Sequence, residues 1–323
     1  VSYSRYEDAL IAKLRLLEFT TSETGGRYLR GFQESMNSQH VPSERLPTGM
    51  IHALQAKSLA EAEPIYVSPD VIDLVDHARE TFQPETLLPS DPFTPCGFAL
   101  FPRPVMLDDA PVTEKNPFRS PGGFIPVRAI SWMALHNEDL SAGCFWISFY
   151  SHMDDDEEQQ RAHATSDQVS WLRSIAPMSL GHTWQWQWGV DPRGMAAQLI
   201  QGEDPERSQK RAHEQASFVQ TFWRLGQQFI PIKQPAPRQV WRDAKRKGAT
   251  VHKEVTVMVL RRAREVGEQI EHETDRHYKV SFLVRGYWAV RHFKDGPRQV
   301  WVRPHLKGQG PFQETTRAWE FKR

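Results

Sequence analysis

The segment His182-Thr183-Trp184-Gln185-Trp186-Gln187-Trp188 alternates polar and apolar residues without a break. A period of two places three indoles on one side of an extended strand, whereas a helix would scatter them. One strand cannot bury such a face alone, so the chain must build a sheet around it. Three further segments supply partners: Cys96–Phe101, Phe124–Met133 and Gly143–Tyr150. All are rich in aromatic and β-branched residues and are separated by Gly- and Pro-containing breaks. The tryptophan row reads as a core face rather than a sugar- or base-binding platform, because large indoles are mostly buried in packed domains.

Helices are expected around this sheet. Residues 4–19 carry Ala9, Leu10, Leu14, Leu16, Leu17 and Phe19 on a broad apolar face, and residues 49–62 read the same way. Ser68-Pro69-Asp70 has the order of an N-cap, a first-turn proline and a first-turn acid, and Val71, Val75, Ala78 and Phe82 follow at helical spacing. Residues 205–230 form a long helix whose buried side carries Ala212, Ala216, Val219, Phe222, Trp223, Gly226 and Phe229. Residues 24–48 read as polar loop. Their Gly25-Gly26-Arg27-Tyr28-Leu29-Arg30-Gly31 run lacks the Gly-Lys-Ser/Thr ending of a phosphate loop. Four prolines make residues 83–95 an extended connector. The fold class is therefore α+β: a helical N-terminal region (1–95), a central antiparallel β-rich domain with its closing long helix (96–230), a basic linker (231–248) and a basic β-hairpin region (249–323). Val251–Leu260 is a strand at the start of that last region.

The 323 residues hold 40 Lys/Arg and 40 Asp/Glu, but the neutrality conceals a division. Residues 1–229 carry 19 basic and 30 acidic residues, net −11; residues 230–323 carry 21 and 10, net +11. Such asymmetry points to a polyanion-binding end on an acidic body, or to two ends whose charges cancel against each other. No apolar run approaches the roughly 20 residues of a membrane-spanning helix, and Val1–Asp8 has no signal-peptide core. Two cysteines, Cys96 and Cys144, are too few for a disulfide framework, which suggests a reducing, cytoplasmic setting; one bridge between them stays open.

The basic end has two features. Arg238, Arg242, Lys245, Arg246 and Lys247 crowd the linker, where flexible cations track a phosphate backbone. Tyr278–Phe293 and Arg298–Gly308 then form a hairpin about a Lys294-Asp295-Gly296-Pro297 turn. Strand alternation puts Arg285, Tyr287, Ala289 and Arg291 on one face and Trp288, Val290 and His292 on the other. Arg298, Trp301, Arg303 and Lys307 lie on the returning arm, with Arg298 and Arg303 on opposite faces. Aromatics interleaved with cations stack on bases and neutralise phosphates; the same pattern also suits a sheet edge with Trp288 and Trp301 packed across the strands.

Val284-Arg285-Gly286-Tyr287-Trp288, followed by Val300-Trp301-Val302-Arg303-Pro304-His305-Leu306-Lys307-Gly308, resembles a signature of uncharacterised proteins in actinobacterial genomes, phages and mobile elements. There it takes the form Val-Arg-Gly-His-Trp-Arg, then Trp-Ile-x-Pro-His/Tyr-x-Lys-Gly. The likeness extends over residues 96–310, and departs at Tyr287 and Ala289, where the family carries His and Arg. It implies a bacterial or phage protein near mobile DNA, and the family brings no activity to carry over to this chain.

The resulting expectation is a non-catalytic protein that binds DNA or RNA through its basic quarter, without a cofactor, metal or membrane. A protein-interaction or assembly factor using the acidic body is the alternative, and a metal-dependent nuclease the third reading. Asp154–Glu158 could offer carboxylates to a hard cation but lacks calcium-loop spacing, so a solvated loop is expected. Glu271–His277 lacks the His-Glu-x-x-His spacing of a zinc helix. Cys96 and Cys144 sit in apolar runs, as inert thiols do.

Overall fold

The computed structural model describes residues 3–38, 46–108, 124–136, 143–152, 154–155, 178–191, 205–228, 231–259, 282–284, 286–293, 296–302 and 305–307. Two compact units divide it, Val1–Leu260 and Arg261–Arg323.

The first unit is built on a seven-stranded mixed sheet in the order β5-β4-β3-β2-β1-β7-β6. Its strands are β1 (Glu63–Val67), β2 (Cys96–Asp108), β3 (Phe124–Leu135), β4 (Cys144–His152), β5 (Met178–Gln187), β6 (Ile232–Pro235) and β7 (Glu254–Met258). Pairing is antiparallel from β2 to β5 and between β6 and β7. It is parallel on both sides of β1. The expected antiparallel arrangement therefore holds for the four strands anticipated in the central region, and β1 makes the sheet mixed. The sheet also draws strands from both sides of residues 95 and 230.

Helices cover both faces. On one lie α1 (Glu7–Thr21), α2 (Glu23–Ser38), α3 (Met50–Glu61) and a short helix, α6 (Arg238–Arg246). On the other lie α4 (Pro69–Arg79) and α5 (Pro205–Gln228). Strand alternation sorts the core between them. Phe98, Leu100, Trp146 and Tyr150 join the cluster under α1 to α3. Phe101, Trp132 and Phe145 meet Phe218, Phe222 and Trp223 of α5 edge-on or tilted, with ring centroids 5.1–6.0 Å apart. Trp184 and Trp186 of β5 are buried as expected, and Trp184 donates to Gln215 of α5.

A buried polar chain fixes α3 to the sheet. Tyr150 donates to Gln55 at 2.6 Å, Gln55 donates to Ser148, and Ser148 meets Thr183 at 3.1 Å. Every link carries a partner, so the polar groups hold register rather than weaken the core.

Four expectations are corrected. Residues 24–48 are not loop throughout: α2 occupies Glu23–Ser38. Ser22 starts it by accepting the Gly25 N–H at 3.0 Å, and a Cβ at Gly25 would meet the Phe19 carbonyl oxygen at 1.8 Å. Glycine here serves close helix packing, which overrides its helix-breaking tendency. Residues 231–248 are not a flexible linker but β6 followed by α6. Between α3 and α4 the chain inserts β1, a strand not anticipated. Ser68 stands at the N-cap of α4 with Pro69 in the first turn, yet its hydroxyl makes no capping bond; its carbonyl accepts from Val71 and Ile72 at 3.1 and 3.2 Å.

In the second unit, β9 (Tyr287–Phe293) pairs antiparallel with β10 (Gly296–Val302), and β8 (Phe282–Val284) with β11 (His305–Lys307). Residues 263–276, which are highly charged in sequence, lie outside the described residues.

Candidate nucleic-acid interface

Helix α6 follows from three local signals. Pro237 precedes it and cannot continue an upstream hydrogen-bond ladder. Val240, Trp241 and Ala244 fall on one side; Ala244 is fully buried, and the other two pack partly buried against the core. Gly248 closes it at φ 69°: Ala249 N–H reaches the Ala244 carbonyl at 3.0 Å and Gly248 N–H that of Lys245 at 3.3 Å. This is a Schellman stop, in which glycine takes the left-handed position.

With the apolar side fixed, the cations are sorted by helical spacing. Arg238, Arg242, Lys245 and Arg246 stand at i, i+4, i+7 and i+8, a single stripe. They are exposed and, with Gln239, line one groove of about 630 Å³. The Arg242 guanidinium and the Lys253 ammonium each lie 6.0 Å from the Trp241 ring centroid, which steadies the stripe from below. Arg246 pairs with Asp243 one turn back. Lys247, expected among the binding cations, turns away: its ammonium meets Glu18 of α1 at 2.6 Å. It is a structural tie between α6 and α1.

The hairpin register is Trp288 opposite Trp301, Ala289 opposite Val300, Arg291 opposite Arg298 and Phe293 opposite Gly296. Tyr287, Ala289, Arg291 and Phe293 therefore share a face with Val302, Val300, Arg298 and Gly296. On the opposite face Trp288 and Trp301 pack at 5.4 Å between ring centroids and 60° between planes. Trp301 is buried, which removes it as a stacking platform and makes it the hairpin's internal support. Tyr287 is 47% exposed and Phe293 51%, so two ring surfaces remain accessible on the arginine face. Phe293 was not anticipated, although counting by two from Tyr287 and Arg291 reaches it. Arg285 and Arg303 and the side chain of Lys307 lie outside the described residues.

The other candidate chemistries resolve into structural roles where they are described. Asp155 is held by Arg128: Nη2 donates at 2.6 Å and Nε to the second carboxylate oxygen. Arg128 bulges out of β3 opposite the Phe101–Pro104 bulge of β2, and its Nη1 donates to the Pro102 carbonyl. Thus one acid of the Asp154–Glu158 run is already neutralised, and residues 156–158 fall outside the described set. His152 is buried, accepts the Asp154 N–H at Nδ1 (3.1 Å), and has its pKa lowered by burial. Both cysteines are free thiols. Burial pushes Cys96 up to about 12 and raises Cys144, so neither is an activated nucleophile. Among the described residues there is no group of three or more His, Cys, Asp or Glu placed to hold a metal ion. Among them, too, no helix is long and apolar enough to cross a membrane. Glu271–His277 lies outside them.

Comparison with known proteins returns no match: no family model fits the chain, and no curated protein and no solved structure is significantly similar.

Proposed function

We propose that the protein binds nucleic acid through phosphate contacts made by its basic C-terminal quarter. The observation that carries this reading is the α6 stripe. Four exposed cations converge on one groove, while the remaining one, Lys247, is tied to Glu18. Arg238 and Lys245 have no ion pair among the described residues, and an array of this kind gains most from a polyanion that neutralises several charges together. The arginine rung of the hairpin, Arg291 opposite Arg298, is a second such surface. Association with the DNA of a bacterial or phage genome is the setting in which such binding would operate.

The test is a binding titration of the full chain against single- and double-stranded DNA and RNA across salt. Affinity falls steeply, with a slope of roughly −0.7 to −0.9 per neutralised phosphate. The Arg238→Ala/Arg242→Ala/Lys245→Ala variant loses about two to three of those slope increments. Absence of binding to any nucleic acid at low salt, or an unchanged slope in the triple variant, overturns the reading.

A further inference from the structure

We infer that the hairpin face recognises unpaired bases, so the nucleic acid engaged there is single-stranded. This rests on the phosphate-binding reading above and specifies its ligand.

The face reads in four rungs. Tyr287 lies opposite Val302, Ala289 opposite Val300, Arg291 opposite Arg298, and Phe293 opposite Gly296. Aromatic rings thus stand at both ends, separated by six residues along β9, roughly 20 Å. Between them are a low apolar saddle and a pair of exposed arginines. Gly296 offers no side chain beside Phe293, and even an added Cβ would meet nothing within 4 Å. One flank of that ring is therefore open.

Each element of this face costs the isolated hairpin stability. Half of each ring is left in water, and like charges opposite one another on a two-stranded ladder repel. The indole pair packs on the reverse face, while Tyr287 and Phe293 are about half exposed on this one. A ligand with both flat apolar surfaces and regularly spaced anions matches the exposed rings and the arginine rung together. Unpaired nucleotides have this composition: every base presents a π-face, and its phosphate lies within reach of an arginine. A duplex stacks its bases on each other and presents base edges and phosphates, with the base faces covered. It would meet the arginines and leave the rings unused. The length of the face suits a short footprint, on the order of four nucleotides, the lower end of what one single-strand-binding module covers.

The experiment compares oligothymidine, oligouridine, a duplex of matching length and heparin as probes of the full chain. The variants are Tyr287→Ala, Phe293→Ala and Tyr287→Phe. The near-ultraviolet circular dichroism component that a Trp288→Phe variant removes reports that the hairpin remains folded. Single strands bind more tightly than duplex. Each alanine variant weakens single-strand binding by about 5- to 150-fold and leaves heparin binding unchanged; Tyr287→Phe retains wild-type affinity. Equal binding of duplex and single strands together with silent alanine variants overturns the single-strand inference alone. A chain that binds none of the four probes overturns the phosphate-binding reading as well, and the two failures are thereby distinguished.

Discussion

Helix α6 and the β9–β10 hairpin are both rich in cations, yet they hold them in opposite ways. Under α6 lies a continuous core: Ala244 is fully buried, Val240 and Trp241 pack beside it, and Asp243 and Glu18 compensate two of the charges. The hairpin packs an indole pair on one face and on the other sets Arg291 opposite Arg298 with an exposed ring beyond. A cation on a packed element with a carboxylate beside it is explained by the fold. On the hairpin two exposed arginines stand opposite each other beside an exposed ring, a surface that matches a ligand carrying both anions and flat apolar groups. The contrast separates Lys247 from Lys245, neighbours but one in sequence with different work.

The largest expected effect comes from undermining α6. Ala244→Asp places an unpaired charge in a fully buried position and should destabilise the protein by more than about 3 kcal/mol, measured by denaturant unfolding. If stability changes by less than 1 kcal/mol, α6 is not seated on the core and the contrast with the hairpin fails.

The body also carries a pH response. Lys13 is fully buried in α1, donates to the Ala62 carbonyl at 2.7 Å, and has its pKa lowered by burial to about 8. In the unfolded chain it titrates near 10.4. Between these values the unfolded state binds more protons, so stability rises with pH through this window and the cost is fully present below it. The gain is on the order of 3 kcal/mol, and Lys13→Met should flatten it. Because the raised Cys96 and Cys144 thiols pull the total profile the other way, the readout is the difference between wild type and Lys13→Met: a difference that does not shift in favour of the wild type as pH rises through this window refutes the assignment.

Much of this architecture was legible beforehand, for a definable reason. Wherever burial is one-sided and the run is long, as in β5 or α5, periodicity survives into sequence. The parallel strand β1 was missed because five residues wedged between two helices are too few to show a period, although Ile65-Tyr66-Val67 is a β-branched and aromatic cluster. Helix α2 was missed because Gly25 and Gly26 signal a turn to local reasoning, and only the close approach of the Phe19 carbonyl explains Gly25. Helix α6 was obscured by its prolines and charge, yet the Val240, Trp241 and Ala244 spacing with Gly248 after it was a helix and its stop. In the hairpin the faces followed from parity alone. The mutual position of Arg291 and Arg298 did not, because cross-strand register depends on where the turn closes.

A smaller effect separates folding from binding within the hairpin. Arg291→Thr relieves the like-charge rung and places a strand-forming residue in β9. It should stabilise the hairpin by roughly 0.2–1 kcal/mol at low salt, seen as a higher thermal midpoint of the near-ultraviolet circular dichroism component that Trp288→Phe removes, while weakening nucleic-acid binding. Loss of both stability and binding would make Arg291 a structural residue.

The smallest effect is the most discriminating for α6. Lys245→Ala should lower the salt slope of binding by about one and leave stability within about 0.5 kcal/mol. Lys247→Ala should leave the slope unchanged and cost at most about 1 kcal/mol, the range of a partly exposed ion pair with Glu18. Glu18→Ala should then reproduce the stability loss of Lys247→Ala, and the double variant should lose little more than either alone, since both remove one contact. If instead Lys247→Ala lowers the slope as Lys245→Ala does, the Glu18 pair opens on binding and Lys247 joins the stripe. The groove would then be defined by charge density along 238–247 rather than by the face that α6 turns outward.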